Sequence, residues 1–255
     1  MIKFSDFFER VYVVNLDRRP DRLQRFKKRL KLATGEEINN KTIQRFSAID
    51  GSTLTDYDMP EAGHHWGAGA EGCRRSHLNI LNTARDDKLD TVLIFEDDVL
   101  FRSKLTAYDH LPTIDSFGEL LTKLLFDTPD NWDMLYLGGN YWRGVGNPVP
   151  SQDSSPSIVS RLQSLTTHAY AVKHTAYDAL IHNATVHNKP VDLIFAEEVQ
   201  PHFYTYGATP RICAQEDGLS DVMEIRVDHR GVTGVDSDDW DLTSDEDYED
   251  DTPGT

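Results

Sequence analysis

The sequence predicts an α/β fold whose central sheet is at least partly parallel. Three observations point there. Runs of β-branched and aromatic residues of strand length recur along the chain, and stretches with helical spacing of apolar residues separate them. One run, Asp90 to Phe95, is apolar throughout, as a strand covered on both faces must be. The 255 residues, 38% of them hydrophobic, can build one substantial core, and no internal repeat divides them.

The elements follow in order. Arg10 to Leu16 (RVYVVNL) reads as the first strand. Asp17-Arg18-Arg19-Pro20-Asp21 stops it, and Pro20 suits the first turn of a helix because its missing N–H would have had no partner there. From Asp21 to Leu32, Leu23, Phe26 and Leu30 stand at i, i+3 and i+7, one face of a helix. Arg45 to Asp50 is a short strand closed by Gly51. Met59 to Ala70 has no period and reads as a loop; Glu71 to Asp87 is a helix with Leu78, Leu81 and Ala84 as its stripe. After the Asp90–Phe95 strand come a helix at Phe117 to Phe126 and a strand from Trp132 closed by Gly138 and Gly139. Val145 to Ser157, rich in Pro and Ser, reads as a mobile loop. A strand at Thr167 to Val172, a helix at Thr175 to Val186, a short helix from Pro190 to Val199, and strands at Phe203 to Tyr206 and Arg211 to Ala214 complete the series.

Charge narrows the function classes. The net charge is −17, but the segment from Asp236 onward holds ten acids and no Lys or Arg, which leaves −7 on the remainder. Self-repulsion and scant apolar surface predict that residues 236–255 form a disordered acidic tail, with Trp240, Leu242 and Tyr248 as its only anchors. The acidity argues against a nucleic-acid partner, which needs clustered cations to neutralise phosphates. Cys73 and Cys213 are too few and too far apart for a disulfide framework or a zinc signature. Without a signal-peptide core or an apolar run of roughly 18 residues, the expectation is a cytoplasmic protein with no membrane span.

Three constellations carry chemistry. Leu93-Ile94-Phe95-Glu96-Asp97-Asp98-Val99 drives a buried strand straight into three acids, at the strand end where α/β sheets place ligands. Carboxylates so close resist joint ionisation unless a cation offsets them, and oxygen ligands suit Mn²⁺ or Mg²⁺. Alternation along an extended segment puts Glu96 and Asp98 on one side and Asp97 opposed; a solvated, inert acidic turn is the plainer alternative. The second constellation, Asn15, Asp17, Arg18, Arg19, Asp21 and Arg22, crowds a strand end and a helix start, where N–H groups and guanidinium forks suit anions, although salt-bridged surface charge would look the same. In the third, Gly67-Ala68-Gly69-Ala70-Glu71-Gly72-Cys73-Arg74-Arg75-Ser76-His77, the glycines permit close backbone approach to a ligand and Ser76 and His77 sit one turn into the helix. The bland readings are a satisfied helix histidine and a small buried cysteine.

Taken in order, VYVVNLDRRPDRL, RFSAIDG, GAEGCRRSHLNIL, VLIFEDDV and WDMLYLGG resemble glycosyltransferase family 25, the group of bacterial lipooligosaccharide galactosyltransferases and animal procollagen galactosyltransferases. Thr167-His168-Ala169-Tyr170-Ala171-Val172, like the family's T-x-A-Y strand, Pro190-Val191-Asp192, and Gln215 to Asp221 extend the match to about Val11–Asp221. The resemblance implies a GT-A glycosyltransferase fold: a Rossmann-like, mostly parallel central sheet flanked by helices. It implies one domain over 1–235, its nucleotide-sugar half at about 1–140 and its acceptor half at about 141–235. The implied reaction is an inverting transfer of galactose, or next glucose, from a UDP-sugar to a glycan or protein hydroxyl, assisted by Mn²⁺ or Mg²⁺. On this reading Asp98 and Glu96 are the metal ligands. Asp97 reaches ribose or sugar hydroxyls, and Asn15, Asp17, Arg18, Arg19 and Arg22 bind the nucleotide together with Gly72, Ser76 and His77. Gln215 and Asp221 close the site. Asp192 is the first choice as general base, with an N-cap role as its alternative; Glu197, Glu198 and Asp221 are its rivals.

Overall fold

The computed structural model describes residues 3–55, 67–106, 111, 113–143, 148–153, 155–216, 218–219, 226–227 and 240. The chain runs through β1 (Arg10–Asn15), α1 (Pro20–Thr34), β2 (Ile43–Ser47), α2 (Ala68–Asp86), β3 (Thr91–Glu96), β4 (Val99–Phe101), α3 (Phe117–Asp127) and β5 (Met134–Arg143). It continues through β6 (Val159–Arg161), β7 (Gln163–Lys173), α4 (His174–Val186), α5 (Val191–Ile194), β8 (Thr205–Ala208) and β9 (Cys213–Gln215). A seven-stranded sheet in the order β2-β1-β3-β7-β5-β8-β6 forms the middle layer. β1 runs parallel to β2 and β3, and β5 parallel to β8, while β7 and β6 oppose their neighbours. The expected α/β architecture, with most strands of the sheet running one way and helices on its flanks, is present.

Strand alternation sorts the core into two faces. Val11, Val13, Leu93, Phe95, Leu135, Leu137, Ala169 and Ala171 face one way and pack with Phe26 and Leu30 of α1 and Leu120, Leu121 and Leu124 of α3. Tyr12, Val14, Val92, Ile94, Met134, Tyr136, Tyr170 and Val172 face the other way, onto Ile80, Leu81 and Ala84 of α2 and Leu180 and Ile181 of α4. Each Val, Leu, Ile, Phe or Met among them is worth about 1.5–3 kcal/mol when fully buried. The apolar stripes therefore fix which face of each helix meets the sheet. Among the described residues, no helix is long and apolar enough to cross a membrane.

Parallel register aligns the functional edge. Val14 stands beside Glu96 and Asn15 beside Ser47, so the carboxyl ends of β1, β2 and β3 finish together. β7 runs the other way, with Ala169 opposite Phe95, so its beginning, not its end, reaches the same edge. The chain then turns at Asp97 and Asp98 into β4, which leaves the main sheet and pairs with β9. Phe95 and Phe101 pack edge to face at 5.5 Å on either side of this turn and brace it from below.

Several local expectations are revised. α2 begins at Ala68, so Gly69 and Gly72 lie inside the helix and not in a loop before it. A Cβ on Gly72 would stand 2.5 Å from Ile49 O and 2.7 Å from Gly51 N, so the glycine lets α2 press on the segment after β2. Gly138 and Gly139 are interior to β5; a Cβ on Gly138 would meet Cys213 O at 2.0 Å, and its absence admits β9. The three-residue strands β4 and β6 are too short to show a period. Most of the Met59–Ala70 loop lies outside the described residues, as do parts of Val145–Ser157 and, except for Trp240, the acidic tail. Trp240 itself is buried, packed with Leu100 and Ala214 under the Arg102 guanidinium at 4.8 Å.

Candidate active site

A cleft opens at the aligned strand ends, between β1, the segment after β2, and the start of α2. It holds about 650 Å³ of space free of protein atoms, counting the open solvent at its mouth. Asn15, Arg18 and Arg22 line it from the second constellation, Ser76 and His77 from α2, and Glu96 and Asp97 from the acid turn.

The three acids have three different surroundings. The β alternation ends at Glu96, because Asp97 and Asp98 form the turn; the expected pairing of Glu96 with Asp98 on one side of a straight segment therefore does not arise. Glu96 points towards α2, where its Oε1 accepts from the Thr167 hydroxyl at 2.8 Å and stands 3.6 Å from His77 Nε2. Burial opposes its ionisation, but His77 and Thr167 prevail and hold the carboxyl below its ordinary value. Asp97 accepts from Asn15 Nδ2 at 2.6 Å and from Arg22 at 3.2 Å, yet burial keeps its carboxyl above the usual range. Asp98 is not among the residues that line the cleft, and its Oδ2 lies 3.6 Å from Arg22. Its Oδ1 is buried and has no hydrogen-bond partner among the described residues. Burial and then the charge of Glu96 push the Asp98 carboxyl up to about 8, against the pull of Arg22. A buried, unpartnered carboxylate oxygen beside two further acids is what a hard cation would satisfy, so the residues fit such an ion.

Asn15 is spent on scaffolding. Its amide donates to Asp97 and to the Arg19 carbonyl at 2.8 Å, and its oxygen accepts from Arg45 Nε at 2.9 Å. Arg18 pairs with Asp50 at 2.8 Å along the cleft wall. Asp17 and Arg19 turn outward instead: Asp17 accepts from Arg45 and Ser47, and Arg19 pairs with Asp21. Ser76 ties α2 to the segment after β2 by donating to Gly72 O and accepting the Ile49 N–H. His77 is fully buried, with Nδ1 2.9 Å from the Tyr170 hydroxyl. Gln215 sits opposite Val99 in the β4–β9 ladder, and the next residue, Glu216, donates its N–H to Asp98 O at 2.8 Å. Glu216 also pairs with Arg29 at 2.7 Å.

Asp192 lies outside the cleft lining, at the start of α5. Its carboxylate accepts the N–H groups of Thr166 at 3.1 Å and Leu193 at 2.9 Å. Burial pushes its carboxyl up, and the charge of Glu96 adds to that push, so the two acids face each other electrostatically across β7. Thr166 is held at φ 66°, a strained setting for a β-branched residue, with its hydroxyl 3.1 Å from His168 Nδ1. Glu197 and Glu198 pair with Lys189 away from this cluster, and Asp221 lies outside the described residues.

Sequence reading missed Thr167, Tyr170, Arg45 and Asp50 as site supports, because antiparallel β7 and the register of β2 bring them in. Cys73 was recoverable. It stands four residues before His77, on the same helix face, and both line the cleft; the ligand atoms of Cys73, His77 and Glu96 lie within 4.8 Å of one another.

The profile of glycosyltransferase family 25 (LPS biosynthesis protein) matches residues 8–134, which hold β1 to β3, the cleft and the acid turn. An inactive glycosyltransferase 25 family member 3 from Mus musculus is 29% identical over 204 residues, 72% of this chain and 31% of that protein. Procollagen galactosyltransferase 1 from Danio rerio is 27% identical over 175 residues, 65% of this chain and 27% of that protein. The aligned parts thus span about a third or less of these curated relatives. A solved glycosyltransferase involved in the glycosylation of the major capsid of PBCV-1 superposes with a TM-score of 0.46 at 11% identity, over 83% of this chain and 93% of that one.

Proposed function

The chain belongs to glycosyltransferase family 25, and on that premise we propose that it transfers a hexose from a UDP-sugar, galactose first and glucose second, to a hydroxyl of a glycan or hydroxylysine-type acceptor, with inversion. The observation that carries this reading is the acid turn after β3, with the unpartnered Asp98 Oδ1 next to the cleft that Glu96 and Asp97 line. Glu96 and Asp98 would hold Mn²⁺ or Mg²⁺, which when bound offsets the charge gathering on the departing diphosphate. The relatives named procollagen galactosyltransferase support galactose as the sugar.

The chain's own groups divide the remaining work. Arg18 and Arg22 present guanidinium forks to the phosphates, and Asn15 aims Asp97 at a ribose or sugar hydroxyl. Asp192 takes the acceptor proton. Burial raises its basicity towards the working pH, and the two backbone N–H groups fix its orientation. Gln215, in β9, would close the site, and Asp221 is assigned the same role from the sequence alone.

Donor hydrolysis and transfer measured across UDP-sugars, with and without Mn²⁺, test this reading. Metal-dependent turnover of UDP-galactose or UDP-glucose is expected, and its loss in Asp98→Ala with the fold retained. Turnover undiminished by that substitution would overturn the site. Metal-dependent donor binding without turnover would instead group the chain with its relatives named inactive.

A further inference from the structure

We propose that Cys73, His77 and Glu96 form a second, softer metal site that takes Zn²⁺ or a similar borderline-soft divalent cation directly from the cleft. Their ligand atoms, one thiol sulfur, one imidazole nitrogen and one carboxylate oxygen, lie within 4.8 Å of one another. This is the donor set of zinc, not of the hard cations that the acid turn suits. Three protein ligands facing an open cleft leave the fourth position for water or a ligand, as exchangeable zinc sites do.

A second, independent observation points the same way. His77 is fully buried, and its Nε2 has no hydrogen-bond partner among the described residues. Its other nitrogen is engaged by the Tyr170 hydroxyl at 2.9 Å, the outer-shell contact that orients a ligating imidazole. That contact directs Nε2 at Glu96, whose Oε1 is 3.6 Å away. Ligands about 2.0–2.3 Å from a tetrahedral ion sit at a similar separation from each other. Cys73 and His77 are one helical turn apart on α2, so the two rigid members are preset. Glu96 and the Cys73 χ1 need to close only about 1 Å.

The site shares Glu96 with the acid turn. Its occupation would draw that carboxylate away from the cation cluster assigned under the transferase reading, so zinc would oppose the metal that supports transfer. Binding itself does not depend on that reading.

Cobalt is the probe. The full chain, stripped of metal with a chelator and then dialysed, is titrated with Co²⁺ and followed for the near-ultraviolet thiolate-to-cobalt band and the visible bands of a tetrahedral ion. One equivalent is expected to bind and to be displaced by Zn²⁺. Cys73→Ser should abolish the thiolate band, His77→Gln should weaken binding at least tenfold, and Cys213→Ser should leave both unchanged. Zn²⁺ should also raise the melting temperature of the wild type and of Cys213→Ser, but not of Cys73→Ser; circular dichroism confirms that each variant folds. Asp98→Asn should keep the thiolate band while losing Mn²⁺-dependent donor binding, which separates failure of this site from failure of the transferase reading. No thiolate band in the wild type would overturn the proposal, since His77 and Glu96 then form only an ion pair. Binding unaltered in Cys73→Ser would do the same, by placing the ion on the acid turn.

Discussion

Two half-buried acids that both feel the charge of Glu96 have the same upward push and opposite surroundings. Asp98, in the turn after β3, has one oxygen with no hydrogen-bond partner among the described residues, and Asp192, at the start of α5, has backbone N–H groups on both of its oxygens. Burial raises both carboxyls. The difference lies in what the fold provides. Asp192 is held by its own backbone neighbourhood and is oriented without help. Asp98 is left incomplete, and folded proteins rarely leave a buried polar atom so. An acid that the fold completes is a positioned group; an acid that the fold leaves open awaits a ligand.

The sharpest way to break this contrast is Asp98→Ala. Donor turnover should fall by about 10²–10³-fold, the scale of losing one charge-stabilising group. The melting temperature should hold or rise, because a buried oxygen without a hydrogen-bond partner is removed while Arg22 keeps Asp97. Rates measured beside a thermal melt check both. A large drop in stability with little loss of rate would mean that Asp98 is structural.

Asp192→Asn should behave in the reverse way. An amide cannot accept at both positions, so one backbone N–H loses its partner at a cost of about 1–3 kcal/mol. That lowers the melting temperature by about 2–4 °C per kcal/mol for a chain of this size. The sign of the pH dependence follows from the raised carboxyl. The folded form holds its proton more tightly than the unfolded form, so the wild-type contribution is fullest at acid pH and declines as pH rises above the ordinary carboxylate value. The destabilisation by Asp192→Asn is therefore expected to be greatest near pH 4 and to shrink towards neutrality. Melts of both proteins across that range decide it; a gap that widens with pH would show that the ionised form is the favoured one.

What the sequence made legible follows from how local each cue is. β1 and β3 are apolar runs whose burial is written in their own residues, and α1, α3 and α4 carry their stripes within themselves. The acid triplet was visible because three charges at the end of Leu93-Ile94-Phe95 have no place in a core. The neighbours of those acids were not visible. Thr167 meets Glu96 only because β7 enters the sheet antiparallel beside β3, and Arg45 reaches Asn15 only through the parallel register of β2. The alternation that would have paired Glu96 with Asp98 fails at a turn which the three-residue β4 gave no period to announce.

Thr167→Val tests that hidden support. It removes the hydroxyl that Glu96 accepts from, at nearly constant volume, and leaves β7 its β-branched residue. Turnover should fall about tenfold, equivalent to about 1.4 kcal/mol. The apparent affinity for Mn²⁺ should weaken with it, since a carboxylate freed from Thr167 is less well aimed. An unchanged rate would show that Glu96 is oriented by His77 alone.

The smallest effect on turnover should come from the back of the acid turn. Trp240 lies in a segment whose composition predicts disorder, yet its ring is buried on Leu100 of β4 and Ala214 of β9, beneath Arg102. These strands carry the turn at Asp97 and Asp98 on one side and Gln215 on the other. Trp240→Ala removes a cation–π contact and the burial of a ring only 4% exposed, together about 3 kcal/mol. A fall of about 6–12 °C in melting temperature is expected, with turnover at saturating donor and metal nearly unchanged. If turnover instead dropped as steeply as in Asp98→Ala, the openness of the acid turn would depend on Trp240 and not on β3 and β4 alone. The contrast with Asp192, which is completed within its own neighbourhood, would then be sharper still.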